Sequence, residues 1–236
     1  MKKFLAVILI LLIAVCAATE IILPRVVTNI LKEQIAKSTH AQDVSLQLNS
    51  SPNAKIVIGQ VDKVHGTASN ASIGDLEFQA LTLDGDKISV DVSELISPTP
   101  NLNDKQRTDK ILKSAGRVEL SGIVTEDALK NFIENKVDEM NSAEIKITPQ
   151  EITATGQFKV LGRMADVDVA GYFILDGEDI YFRATKMDIR NTLVRNVQID
   201  RYLGDVKVLE SAQLPAGLKF SSVQMRDGDI LITAAR

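Results

Sequence analysis

The chain reads as an α+β protein, and three features of its sequence say so. Apolar and polar residues alternate with a period of two over much of the chain, the habit of antiparallel strands with one dry and one wet face. Three Asp-Gly pairs punctuate those runs as hairpin turns do. Two stretches instead carry apolar residues at helical spacing.

The N-terminus comes first. Lys2 and Lys3 precede an apolar run from Phe4 to Ala18, and Ile21–Leu23 extends it past Thr19 and Glu20. A basic end followed by such a run is the pattern of a segment handed to the export machinery. Val15 and Ala17 fit the small-residue rule loosely, which allows cleavage after Ala17. Uncut, Phe4–Leu23 has about the 20 residues needed to span a bilayer. Cys16 as a lipidated cysteine is disfavoured by Val15, which is larger than the small residue needed before it. Residues 1–23 are therefore expected to be a signal peptide or membrane anchor, and 24–236 a single domain that is exported. Its expected place is the periplasm or the outer face of the cytoplasmic membrane.

Pro24 breaks the apolar run and either starts the next helix or kinks it against the leader. Val27, Ile30, Leu31 and Ile35 then fall on one helical face, with Asn29, Lys32, Glu33 and Lys37 opposite. From Asp43 the period becomes two: Val44, Leu46 and Leu48 alternate with Ser45, Gln47 and Asn49. Ile88, Val90 and Val92 do the same, as do Val118 and Leu120. Leu76, Phe78 and Ala80 obey the rule, but Leu81 and Leu83 change face, so a bulge is expected near Ala80. Asp84-Gly85, Asp176-Gly177 and Asp227-Gly228 each predict a tight hairpin. The last should join Leu218–Arg226 to Asp229–Ala234.

The polar stretch from Pro98 to Lys113 reads as a long surface loop or a short exposed helix. A second helix is expected over Thr125–Met140. Thr125 suits the N-cap, and Glu126 and Asp127 complement the positive end of the helix dipole. Ala128, Leu129, Phe132, Ile133, Val137 and Met140 form its apolar stripe. Both an ordinary core helix and one touching an acyl chain would have this composition. Strands follow at Ile145–Ile147, Ile152–Thr155, Phe158–Leu161, Ala165–Leu175, Ile180–Ala184 and Val206–Leu209, with a short helical or irregular piece at Val197–Leu203. No period of about 20–50 residues recurs, so a tandem-repeat array is excluded.

Composition removes several classes of function. The lone cysteine lies in the leader, so the exported part has no disulfide and no thiol chemistry. His40 and His65 are too few and too isolated for the usual metal sites. Cleavage after Ala17 would remove two lysines and move the formal net charge from −4 to about −6. That balance, with no Lys/Arg block, argues against nucleic acid. Absent Trp, and with only 4% aromatic residues, stacking platforms for sugars or bases are not expected.

No phosphate loop, nucleophile elbow or zinc-protease motif occurs. Asp166 and Asp168 share one strand face and could serve acid–base chemistry or calcium binding, but Val167 and Val169 behind them mark an ordinary solvated face. The glycines at Gly59 and Gly162 read as turns or bulges near strand ends. The expectation is a protein with no catalytic set, no metal and no cofactor.

Four runs in fixed order carry a resemblance: Ser121–Leu129 (SGIVTEDAL), Ile145–Pro149 (IKITP), Val167–Phe173 (VDVAGYF) and Leu214–Ile230 (LPAGLKFSSVQMRDGDI). The chain, from about Pro24 to Ala235, resembles the LmeA-like phospholipid-binding proteins of bacterial envelopes. Ile58–Asp62 and Leu81–Gly85 fit the family's first half. The resemblance implies a fold related to tubular lipid-binding domains, with a strongly curved, open barrel-like antiparallel sheet wrapped around helices. It also implies an extracytoplasmic protein that binds phospholipid or another membrane lipid, which the uncut N-terminal segment would hold at the inner membrane.

On that reading acyl chains lie against the sheet and against Val27, Leu31, Leu129, Phe132, Ile133 and Val137. Arg163 or Arg183 is the expected contact for a headgroup phosphate. The rival is a non-enzymatic envelope assembly module that binds a protein through its sheet edges. An enzyme acting on envelope glycans ranks third.

Overall fold

The computed structural model describes residues 28, 29, 31–33, 35–37, 39–96, 110–136, 140–160, 163–190, 205–214 and 217–236. The proposed leader, Val27, most of the polar stretch after Pro98, Val137 and Val197–Leu203 lie outside them. Among the described residues no helix is long and apolar enough to cross a membrane.

Helical backbone at 28, 29, 31–33, 35–37 and 39 (α1) precedes strand β1 (Asp43–Asn49). A 3-10 turn (Asn53–Ile58) leads to β2 (Gln60–Ile73), β3 (Leu76–Val90), a one-turn helix α2 (Val92–Ile96), β4 (Leu112–Ser114) and β5 (Arg117–Thr125). Helix α3 (Glu126–Lys136) is followed by β6 (Met140–Ile147), β7 (Ile152–Val160), β8 (Arg163–Asp176), β9 (Asp179–Arg190) and β10 (Asp205–Leu209). The final hairpin is β11 (Lys219–Arg226) and β12 (Asp229–Ala235).

The expected single sheet is two. A seven-stranded sheet has the order β1-β2-β3-β5-β12-β11, with β4 on β3, and a five-stranded sheet has the order β10-β9-β8-β7-β6. Neither is closed. The separation follows from connectivity. Each strand from β6 to β10 pairs with its neighbour in sequence and forms its own meander, whereas β12 returns to pair with β5.

The chain packs as two compact units. The first takes the residues up to Ala68 and Thr82–Val118. Its core is Ile56, Val61 and Val64, with half-buried Leu48, Leu83 and Ile88 against them. Gly59 ends the 3-10 turn with φ of 79°, and a Cβ there would stand 2.1 Å from the Val90 carbonyl oxygen. Only glycine fits both demands.

The second unit takes Ser69–Leu81 and Glu119–Arg236. Leu76, Phe78, Val124, Ile147, Ile152, Ile180, Leu209 and Ile230 are almost wholly buried within it. There α3 packs on β6, and β11 packs on β8 and β9.

Two of the three Asp-Gly hairpins form. Gly177-Glu178 and Asp227-Gly228 are the two-residue loops, with φ of 63° at Gly177 and 83° at Gly228. Asp84-Gly85 is not a turn, because β3 runs straight through it. Gly85 is buried where Ile88 needs the space, and the Asp84 carboxylate lies 2.7 Å from His65 Nδ1 on β2. The turn between β2 and β3 is Gly74-Asp75, with Gly74 at φ 60°.

The slip expected at Ala80 is present as a change in burial parity, from Phe78 to Leu81. Its partner strand slips too, from Ala68 to Ala71, and the left-handed residue is Asn70 (φ 50°) on β2. Both slips fall at the boundary between the units.

Val92, expected in a strand, begins α2. The Asp91 carboxylate captures the backbone N–H of Ser93 (3.0 Å) and Glu94 (3.3 Å) and turns the chain into a helix. The second predicted helix is shorter than expected: it ends at Lys136, and Met140 opens β6 opposite Phe158. Ile152–Thr155 and Phe158–Val160 lie on the single strand β7, which runs through Gly156, and Leu161 lies outside the described residues.

Candidate functional site

Register decides which side chains of the five-stranded sheet share a face. On one face Ile145, Ala154, Val169 and Met187 form a row across β6, β7, β8 and β9, because each stands opposite the next. Ile147, Ile152, Gly171 and Ala184 form a parallel row. Gly156, Val167 and Ile189 make a third, and Phe173, Phe182 and Val206 a fourth at the β10 side.

This face is apolar throughout, but its cover is uneven. Ile145, Ile147, Ile152, Val167 and Phe173 are buried. Val169, Met187, Ile189, Ala184 and Phe182 are only half-buried, and Val206 is 58% exposed. Hydrophobic area still open to water therefore concentrates on β9 and its neighbours.

Local features set which side chains this face presents. Phe173 and Phe182 meet edge to face, with centroids 5.9 Å apart and planes at 81°. A Cβ on Gly171 would come within 2.5 Å of the Phe182 ring, so glycine is required for that ring to lie down. A register shift between Ala170 and Gly171 skips Thr185, which moves the apolar parity on β9 from Phe182 and Ala184 to Met187 and Ile189.

Helix α3 supplies the second apolar surface. Thr125 caps it as expected, its hydroxyl accepting from the Ala128 N–H at 3.3 Å. Of the expected contact residues, Leu129 is 3% exposed and belongs to the core, so protein already covers it. Phe132 and Ile133 are half-buried, as is Leu31 on α1. Val27 and Val137 lie outside the described residues.

Two helix carboxylates reach the outer edge of β6. Glu126 Oε1 accepts from the Ile147 N–H at 2.8 Å, and Glu134 Oε1 from the Ala143 N–H at 3.0 Å. The Gly228 N–H donates to the Ile147 carbonyl at 3.1 Å. Part of an edge that would otherwise invite another strand is thus covered.

The opposite face of the five-stranded sheet is polar. Arg183 holds Asp205 with two hydrogen bonds, from Nε (2.8 Å) and Nη2 (2.6 Å). This fork raises the guanidinium pKa above its usual range, the Tyr172 hydroxyl adding to it, and lowers that of Asp205. Arg183 is therefore occupied on the polar face and does not stand at the rim of the apolar one. Arg163 opens β8.

Asp168 pairs with Arg190 at 2.5 Å and Asp166 accepts from Gln157 at 2.9 Å, so both aspartates sit in surface networks. Asp179 is held below the ordinary carboxylate value by the Ser211 backbone N–H first and Lys207 second. Among the described residues no group of three His, Cys, Asp or Glu is placed to hold a metal ion.

A cavity in the second unit lies elsewhere, lined by Ile73, Phe78, Leu81, Leu120, Gly122, Leu214, Phe220, Ile232 and Ala234. Its volume is about 10 Å³, the threshold for a single water, and its walls offer that water little to bond. Pockets for small molecules run to about 300–1,000 Å³. An acyl chain does not fit there without rearrangement.

The half-open apolar face was only partly visible in the sequence. Val167 and Val169 stand out behind Asp166 and Asp168, but Met187 and Ile189 are hidden by the skip at Thr185.

Fold and face together define a β-rich scaffold that offers apolar contact on one side of a sheet and paired charge on the other. The chain belongs to the LmeA-like phospholipid-binding family, whose model matches residues 18–235. No curated protein and no solved structure matches it significantly.

Proposed function

We propose that this protein binds phospholipid on the extracytoplasmic side of a membrane, without catalysing a reaction, and carries or holds lipid there. Family membership supports the phospholipid, and Lys2, Lys3 and the apolar run after them support export and attachment to the inner membrane. The observation that carries the mechanism is the half-buried stretch Val169, Ala184, Met187 and Ile189 on a continuous apolar face.

Acyl chains would lie along this stretch with Phe132 and Ile133 of α3 as further apolar contacts, each buried methylene contributing about 0.8 kcal/mol. A headgroup would remain in water beyond the apolar area. The rival reading, an assembly module binding a protein partner, draws its support from the tight packing around the small cavity.

Native mass spectrometry with lipid extraction, on the full chain purified from membranes in mild detergent, separates the two. Stoichiometric phospholipid on the protein is expected. A well-folded, lipid-free protein that also takes up no added phosphatidylglycerol or phosphatidylethanolamine moves the assignment to the assembly module.

A further inference from the structure

The two halves of α3 are held by different means. The N-terminal half is fixed by the Thr125 cap, by Ala128 and Leu129 in the core, and by Glu126 on the Ile147 amide. Among the described residues, the C-terminal half is held by half-buried Phe132 and Ile133 and by two polar ties. One is Glu134 on the Ala143 amide, and the other is the ion pair of Lys136 with Asp75 in the β2–β3 turn.

Both partners of that ion pair are exposed, at 51% and 67%, the setting in which such pairs hold least. The strand beneath is irregular at the same place: Ser142 is left-handed (φ 52°), and the β6–β7 register shifts between Asn141 and Glu144. Under the N-terminal half the register is regular, with Ile145 on Ala154 and Ile147 on Ile152.

We propose that the C-terminal half of α3, from Lys130 to Lys136, is a lid. It pivots about the anchored Leu129 turn and is latched by Glu134 and Lys136. Opening parts Phe132 and Ile133 from the structure they pack on and exposes apolar surface that the closed form half covers. The lid is a property of the helix and its latches. Its use, admission of an acyl chain, rests on the phospholipid reading above.

The β6 edge provides a reporter for each half. The Ala143 and Ile147 amides bond to helix carboxylates, so their hydrogen exchange reads how often each half lifts. Exchange resolved to single amides, on the full chain in detergent, should show Ala143 at least about tenfold faster than Ile147. Lys136→Ala, which removes a side chain paired with Asp75 and not with either amide, should speed Ala143 several-fold more and leave Ile147 unchanged. Glu134→Gln, whose amide oxygen still accepts, should keep Ala143 near its native rate, while Glu134→Ala should not.

Equal rates at the two amides, or a Lys136→Ala effect on both alike, overturns the lid. With vesicles of dioleoylphosphatidylglycerol as the probe, Lys136→Ala should pick up lipid faster than the native chain. Split exchange rates with no pick-up by either protein would leave the lid standing and remove the phospholipid reading instead.

Discussion

Aspartate in place of Met187 puts a carboxylate in the middle of the half-open apolar face. Met187 stands opposite Val169, and the next rung is Val167 with Ile189. Two rungs span about 7 Å along the strands, at roughly 3.3 Å per residue. A chain crossing both would remove on the order of four methylenes from water, about 3 kcal/mol at roughly 0.8 kcal/mol each. That is roughly a hundredfold in affinity, and a charge at the centre forfeits nearly all of it. Met187→Asp should therefore weaken binding of a fluorescent phosphatidylglycerol about a hundredfold. Met187→Leu, which keeps volume and polarity, should stay within about threefold. The control is one residue away: Lys186 is exposed and projects from the opposite face, so Lys186→Glu should bind as the native chain does. Circular dichroism and a melting curve establish that each variant is folded. Undiminished binding by folded Met187→Asp, or an equal loss in Lys186→Glu, would refute the placement of the lipid on this face.

Three further outcomes are expected. Thr125→Ala should cost about 1 kcal/mol in chemical denaturation, and Thr125→Ser much less, because the hydroxyl cap on the Ala128 N–H is what is removed. Phe78→Ala, at a site 1% exposed beside the small apolar cavity, should cost about 3–5 kcal/mol and enlarge that cavity, measured by denaturation and by xenon uptake. Acid should weaken the fold in a defined window. Asp62, Asp179 and Asp205 lie below their ordinary values, held chiefly by the Ser51 amide, the Ser211 amide and Arg183 respectively. The unfolded chain then binds more protons, so their stabilisation is complete above about pH 4 and is lost as pH falls through the lowered folded values. Urea midpoints from pH 5 down to pH 2 should trace that loss, with a shallower slope in Asp179→Asn.

What the sequence disclosed was local chemistry. The alternation in β1, the Asp227-Gly228 hairpin and the Thr125 cap depend on residues close together in the chain, and each was readable there. The division into two sheets was not, because it depends on β12 choosing β5 as its partner about 100 residues earlier. Asp84-Gly85 misled for a related reason. Its glycine serves packing against Ile88 rather than a turn, and only the folded neighbourhood shows that. The candidate site divides the same way. Phe132 and Ile133 follow from the helical period, whereas Met187 and Ile189 needed the register skip at Thr185 to join Val169. Leu129 shows the limit of periodicity, which marks an apolar face without telling whether protein or ligand covers it.

The hairpin of β2 and β3 bears on how this protein can be divided. Its tip, Ser69–Leu81, belongs to the second unit, while the stems on either side belong to the first. A fragment starting at Glu119 would include β6–β12 whole but lack Ile73, Leu76, Phe78 and Leu81, all buried in the native chain. It would start life with a hole where an aromatic and three aliphatic side chains belong. The second unit is therefore not a module that can be cut out at Glu119. A cut that takes the polar stretch after Pro98 as its boundary parts the second unit from the hairpin tip that fills its core.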